Sequence, residues 1–406
     1  MTLSTSIPDV RGADSATRKK TLVAACTAHA THDGLSDLVY VLLPIWQDMF
    51  VLSYVWLSVL RSAYSLTLAV LQIPAATLST RIRPAWLLAI STAVTGLGWL
   101  AAGFAGSAIA LGASLVIAGL GASVQHPVAS AMVSRAYAGN AKKPLGLYNF
   151  SGDLGKSMLP AGAAFLLTCT TFQVTATVFA GIGLLAALVI GALLRHVPAP
   201  RILTCKAAAL PAGAGHAGSP RAFAALLWTA IMDSAVRMGF LTFLPFIIKH
   251  NGGSLAQAGV ALTLVFIGGA MGKFVCGWMS ERFGTLKTIV VTELATALLI
   301  GVVLIAPISL AMIVLPLLGA VLNGTSSVLY GAVTDVVESH KLEKAFSVFY
   351  TGTIGSGAVA PILYGYVGDH AGVLSATAFV ALTAALALLP VVLFSRLQPG
   401  AFDSRS

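Results

Sequence analysis

The chain has 406 residues, 57% of them hydrophobic and 9% charged, with a mean hydropathy of +0.89. A soluble domain carries about 25% charged residues and needs a polar shell, so lipid must bathe most of this surface. The net charge of +10 does not point to nucleic acid, because the basic residues fall in short segments between apolar runs instead of forming a patch.

A helix needs roughly 20 apolar residues to cross about 30 Å of hydrocarbon. Twelve such runs follow in chain order: 21–46, 54–78, 85–105, 108–133, 144–168, 174–194, 222–249, 255–279, 286–306, 308–332, 343–367 and 374–394. Helices are required because no unpaired backbone can face lipid. The first run is longer than a signal-peptide core and lacks a clear cleavage site, so it reads as a retained helix after a polar tail, 1–20. A loop rich in Ala, Gly and Pro, 195–221, divides two six-helix bundles, 21–194 and 222–394, and a tail at 395–406 follows. With the N-terminus inside, the loop Lys and Arg residues from Arg18-Lys19-Lys20 to Arg396 fall on the cytoplasmic side, and only Lys249 lies outside. That asymmetry predicts that both termini are cytoplasmic and that the number of spans is even.

The ionisable residues inside the runs are functional candidates by default, because a charge in hydrocarbon is costly. They are His29, His32, Asp33 and Asp37 in the first run, Arg61 in the second, His126 in the fourth, and Asp153 and Lys156 in the fifth. Asp233 and Arg237 follow in the seventh, Lys273 in the eighth and Glu293 in the ninth. His29, Asp33 and Asp37 recur every four residues and so share one helix face. At about 1.5 Å per residue, Asp33 lies roughly 20 Å from Lys20, near the midplane. A carboxyl at that depth loses hydration and becomes a usable proton carrier, and His29 could pass its proton on. The other reading is a static charge pair, and Asp37 and Arg61 reach similar depths.

Arg61, Lys156 and Arg237 suit a substrate with carboxylate or phosphonate oxygens, since Arg offers a rigid donor fork and Lys a point charge. They could equally be paired internally: Asp153–Lys156 and Asp233–Arg237 have the spacings that allow contact on one helix. His126, before Pro127, reads either as a proton carrier or as a neutral ring bonding a carbonyl that the proline frees. Tyr64, one turn from Arg61, and the polar stretch from Asn323 to Tyr330 are further candidates for substrate contact. Lys273 fits a gate or a structural pair. Four cysteines, Cys26, Cys169, Cys205 and Cys276, show no disulfide or metal spacing. No phosphate loop, zinc spacing or nucleophile motif occurs, so no cofactor, no metal and no enzyme chemistry is expected.

The halves echo each other at an offset near 200: Ser79-Thr80-Arg81 against Ser280-Glu281-Arg282, and Gly152/Gly155 before Pro160 against Gly352/Gly355 before Pro361. Tandem repeats of this kind are a transporter architecture, with the site between them. The stretch Gly277-Trp278-Met279-Ser280-Glu281-Arg282-Phe283-Gly284-Thr285-Leu286-Lys287 resembles the signature loop of the major facilitator superfamily. Its first-half copy, Thr77 to Arg83, lacks the acid. The resemblance implies twelve transmembrane helices in two bundles, a monomer, and gate roles for Glu281, Arg282, Lys273 and Arg81. It also implies that the third, sixth, ninth and twelfth helices lie outermost, and those runs hold no intramembrane charge but Glu293.

More narrowly, His29-x-x-x-Asp33, Leu43-Pro44 and His126-Pro127 resemble the fosmidomycin-resistance-like branch, which implies proton-driven export of small anions. Leu159-Pro160 stands where drug/proton antiporters carry Gly-Pro, so the direction stays open. The sequence thus predicts an all-α, multi-pass secondary transporter of the bacterial inner membrane. Its partners would be a small, anionic organic solute, protons and the lipid bilayer. Proton coupling would fall to Asp33, Asp37, His29 and His126. Substrate contact would fall to Arg61, Tyr64, Asp153, Lys156, Asp233, Arg237, Asn323 and Tyr330. Proton-linked uptake and a non-transporting ligand sensor are the alternatives.

Overall fold

A computed structural model describes residues 15–137, 140–197, 219–338 and 341–397. The distal parts of both tails and most of the central loop, including Cys205, Arg201 and Lys206, lie outside the described residues. The described chain is helical throughout: α1 (Ser15–Phe50), α2 (Tyr54–Leu78), α3 (Pro84–Gly103), α4 (Ala108–Ala122), α5 (Gln125–Ala136), α6 (Lys142–Leu166), α7 (Phe172–Leu194), α8 (Pro220–His250), α9 (Leu255–Phe283), α10 (Thr285–Ile305), α11 (Ile308–Val336) and α12 (Leu342–Leu397). Several helices run past the apolar stretches, because their polar ends continue the hydrogen-bond ladder beyond the hydrocarbon.

Among the described residues, nine helices are long and apolar enough to cross a membrane, with α4 and α5 taken as one, Ala108–Ala136. Helices α1 and α6 do not qualify, since Asp33, Asp37, Asp153 and Lys156 lower their hydropathy. The break between α4 and α5 follows from Pro127, which has no N–H to offer the Ser123 carbonyl one turn earlier. α12 is interrupted at Gly372, whose φ of +85° and ψ of 166° are open to glycine and strained for other residues.

Within the first half, α1 packs on α5, α6 and α7. Within the second, α8 packs on α11 and α12. Small residues allow the closest of these approaches. A Cβ on Gly155 would overlap the Ala30 carbonyl of α1, and one on Gly268 would overlap Pro316 of α11. The echo of Gly152/Gly155 in Gly352/Gly355 is only partial, because a Cβ on Gly355 would meet nothing within 4 Å.

The halves join along α6–α9, α2–α12 and α1–α8. One end carries a set of closures. Asp48 and Lys249 pair at 2.9 Å. Asp369 accepts from the Tyr54 and Val55 amides, at 2.6 and 3.1 Å, and so caps the start of α2 from the other half. Deeper in, Arg61 donates to the Gly357 carbonyl at 2.6 Å and Ser62 to that of Ala358.

Candidate functional site

Two sets of polar groups lie in the interior. The first surrounds Asp33, which is 7% exposed. Its carboxylate is 3.2 Å from His29 Nε2, 3.5 Å from His126 Nε2 and 3.2 Å from Lys156 Nζ. The four-residue spacing stacks His29 and Asp33 on one face of α1. Gly152 of α6 leaves them room, since a Cβ there would stand 2.6 Å from His29 Nε2 and 2.8 Å from Asp33 Oδ2. His29 also stacks on Tyr148 at 4.1 Å and meets the His126 ring edge-on at 5.2 Å.

The tautomer of His29 follows from its partners. Its Nδ1 lies 2.8 Å from the Tyr148 carbonyl and must donate there. In the neutral ring Nε2 is therefore a bare acceptor, so it bonds Asp33 either by donating as the doubly protonated ring or by accepting from a protonated Asp33. A single proton can thus be held on either side of this contact. The donor atoms of His29, Asp33 and His126 lie within 4.8 Å of one another, a spacing that could hold a metal. The Lys156 ammonium already supplies the positive charge at that carboxylate, so the donor set fits a proton better than a cation. His32 is turned away, bonded to Thr92 Oγ1 at 2.9 Å.

The second set lines a cavity of about 250 Å³ between the halves. Asp37, Arg61, Tyr64, Arg237 and Tyr330 are in its wall, together with Tyr40 and Gln72. Arg61 donates to Tyr40 Oη at 3.2 Å in addition to Gly357, and its Nε is buried without a partner. Arg237 Nε is likewise unpartnered. Tyr64 bonds Ser36 at 2.6 Å, and Tyr330 bonds Thr353 at 3.1 Å. The cavity therefore offers two guanidinium groups and three phenols beside one carboxyl, a surface suited to anionic oxygens.

Several expected contacts are replaced by others. Asp37 and Arg61 form no ion pair, because the guanidinium is drawn to the carbonyl of Gly357. Asp153 and Lys156 do not pair along α6: Lys156 turns to Asp33, and Asp153 binds Lys273 of α9 at 2.7 Å, across the halves. Lys273 is thus part of a lateral join. Asp233 accepts from Ser326 at 2.7 Å, away from the cavity wall. Asn323 folds back on the Gly319 carbonyl at 3.2 Å and packs against Gly269. His126 faces Asp33, not a freed carbonyl. Arg81, Glu281 and Arg282 are exposed at helix ends. Sequence reasoning missed Tyr40, Gln72, Asp48 and Asp369; none belongs to a motif, and only their place at the meeting of the halves marks them.

The sequence profile of the Major Facilitator Superfamily matches residues 25–232 and 226–405. The chain therefore belongs to that superfamily: it is a multi-pass membrane transporter and not an enzyme. It is 26% identical over 392 residues to an uncharacterized transporter of the superfamily, YfnC, from Bacillus subtilis (strain 168), with 92% of each chain covered. It is 27% identical over 174 residues to the fosmidomycin resistance protein of Escherichia coli (strain K12), a match spanning 41% of this chain and 42% of that one. Among solved structures, it shares its fold with a bacterial homolog of the human lysosomal transporter Spinster, at TM-score 0.78 and 16% identity over 97% of this chain and 100% of the other. It also shares it with a peptide transporter bound to sulfate, at TM-score 0.74 and 14% identity over 94% and 95%.

Proposed function

We propose that this protein is a proton-coupled secondary transporter that moves a small organic anion across the bacterial inner membrane by alternating access. The observation that carries the reading is the cavity in which Arg61 of one half and Arg237 of the other face a common space. The chain would work as a monomer of twelve spans: the nine apolar helices, α1 and α6 with their inward charges, and α12 counted as two passes on either side of Gly372. The basic residues near Arg81, Arg135 and Lys142 support the reading that this end, with both termini, faces the cytoplasm. The closures at Asp48–Lys249 and Asp369 then mark the outer end, and the conformation is one closed to the outside.

Asp33, with His29 and His126, takes the coupling proton, and Asp37 extends the path towards the cavity. Arg61, Arg237, Tyr64 and Tyr330 contact the anion. Likeness to a fosmidomycin resistance protein supports export by antiport. The Asp33–Lys156 contact favours a second reading, uptake by symport. Protonation of Asp33 releases Lys156, and a free ammonium attracts the anion, so proton and anion load together.

Proteoliposomes with an internal pH dye test both, on addition of carboxylates, phosphonates, and neutral and cationic compounds. Proton movement driven only by anions supports the coupling, and its sign separates antiport from symport. Movement driven by cations alone would overturn the anion reading. Coupling retained in Asp33→Asn would remove that residue from the path.

A further inference from the structure

A groove of about 530 Å³ runs along the outer surface between α3 and α7, from Trp86 to Ala93 on the first and from Arg195 back to Leu184 on the second. Except for Arg195, every residue in its wall is apolar, and Trp86, Ile90 and Leu188 are exposed along it. The groove opens where two touching helices part. Just beyond its inner end α3 and α7 meet through glycines, since a Cβ on Gly183 would stand 3.1 Å from Gly96 Cα. Within the groove a Cβ on Gly191 would meet only Ala89, at 3.9 Å.

Length and charge together indicate the occupant. The rise from Leu184 to Arg195 is about 16 Å at about 1.5 Å per residue, and one leaflet contributes about half of the roughly 30 Å of hydrocarbon. The groove therefore reaches from the interface to near the midplane, the path of a single acyl chain. At its mouth Arg195 is exposed and, among the described residues, forms no ion pair. Arg83 crosses from the start of α3 to donate to the Val197 carbonyl at 2.9 Å, just past Arg195, and keeps further N–H donors for other partners. Guanidinium groups match phosphate oxygens by paired hydrogen bonds. A zwitterionic headgroup would bring a second cation to the same mouth, whereas an anionic one would not. Trp86 sits near the helix start, at the level where aromatic rings border headgroups.

We propose that the α3–α7 groove binds one anionic phospholipid, with an acyl chain along the groove and the headgroup phosphate on Arg195 and Arg83. Basic pockets between membrane helices recognise anionic headgroups in this way. The site is independent of the anion-transport reading; only its assignment to the cytoplasmic leaflet rests on the orientation given above.

Native mass spectrometry of the full chain in detergent, titrated with phosphatidylglycerol or phosphatidylcholine, tests the site without any flux assay. One phosphatidylglycerol per chain should be retained in preference to phosphatidylcholine. Arg195→Gln should weaken that retention about 10-fold, through the loss of charge-assisted hydrogen bonds. Gly191→Leu leaves both arginines in place, fills the groove and should remove the bound lipid; the open space at Gly191 keeps the fold intact, which circular dichroism checks. Equal retention of the two lipids would overturn the proposal, as would unchanged phosphatidylglycerol binding in folded Arg195→Gln or Gly191→Leu. Glycerol phosphate binding as tightly as the lipid would mean a site for soluble phosphate, and a dimer mass abolished by Gly191→Leu would mean that a second copy fills the groove; either result also overturns it. None of these outcomes bears on anion-driven proton flux, so failure here leaves the transport reading standing.

Discussion

Asp33→Asn should strand the Lys156 ammonium, and the size of the effect follows from its burial. The carboxylate is the partner of Lys156 at 3.2 Å and is itself buried, so its loss leaves a cation without compensation. Removing one member of a fully buried ion pair costs about 3–5 kcal/mol. The Lys156 side chain is 34% exposed, so solvent screens part of that, and the expected loss falls to about 1–2 kcal/mol. Asn keeps the shape and one acceptor for His29, so the packing against Gly152 survives. Lys156→Met in the same chain removes the stranded charge and should restore most of the stability, a coupling of about 1–2 kcal/mol in a double-mutant cycle. Chemical unfolding of the four proteins in mixed micelles, followed by circular dichroism, reads this directly. If the two single costs simply add in the double variant, the two groups do not interact and the pairing described for Asp33 is refuted.

Arg61→Lys should weaken anion-driven flux about 10- to 100-fold, since one ammonium cannot both hold the Gly357 carbonyl and Tyr40 and face the cavity; flux titrations against anion concentration check it. Gly155→Leu should destabilise the chain by about 1–3 kcal/mol through overlap with Ala30. Gly355→Ala, which meets open space, should change the melting midpoint little. Asp48→Lys puts like charges opposite Lys249 and should loosen that end. The expected readout is faster labelling of a Tyr64→Cys probe by an impermeant maleimide from that side, with the background of native cysteines subtracted.

Which parts of this protein were readable from sequence is clearest in the fates of individual residues. The membrane class, the helical content and the shared face of His29 and Asp33 follow from hydropathy and from the 3.6-residue period, which are local properties, whereas the break before Pro127 falls inside a stretch that hydropathy reads as one run. The family followed from the loop at Gly277–Lys287. Partner choice did not follow. Spacing along α6 offered Asp153 to Lys156 and spacing along α8 offered Asp233 to Arg237, yet Lys156 went to Asp33, Asp153 to Lys273 and Asp233 to Ser326. In a medium of low dielectric a charge turns to the best-placed group around it in space. Sequence spacing names only the neighbours on its own helix, and which helices face one another, and at what height, is decided by the packing of small residues such as Gly152 and Gly155 once the tertiary structure has formed.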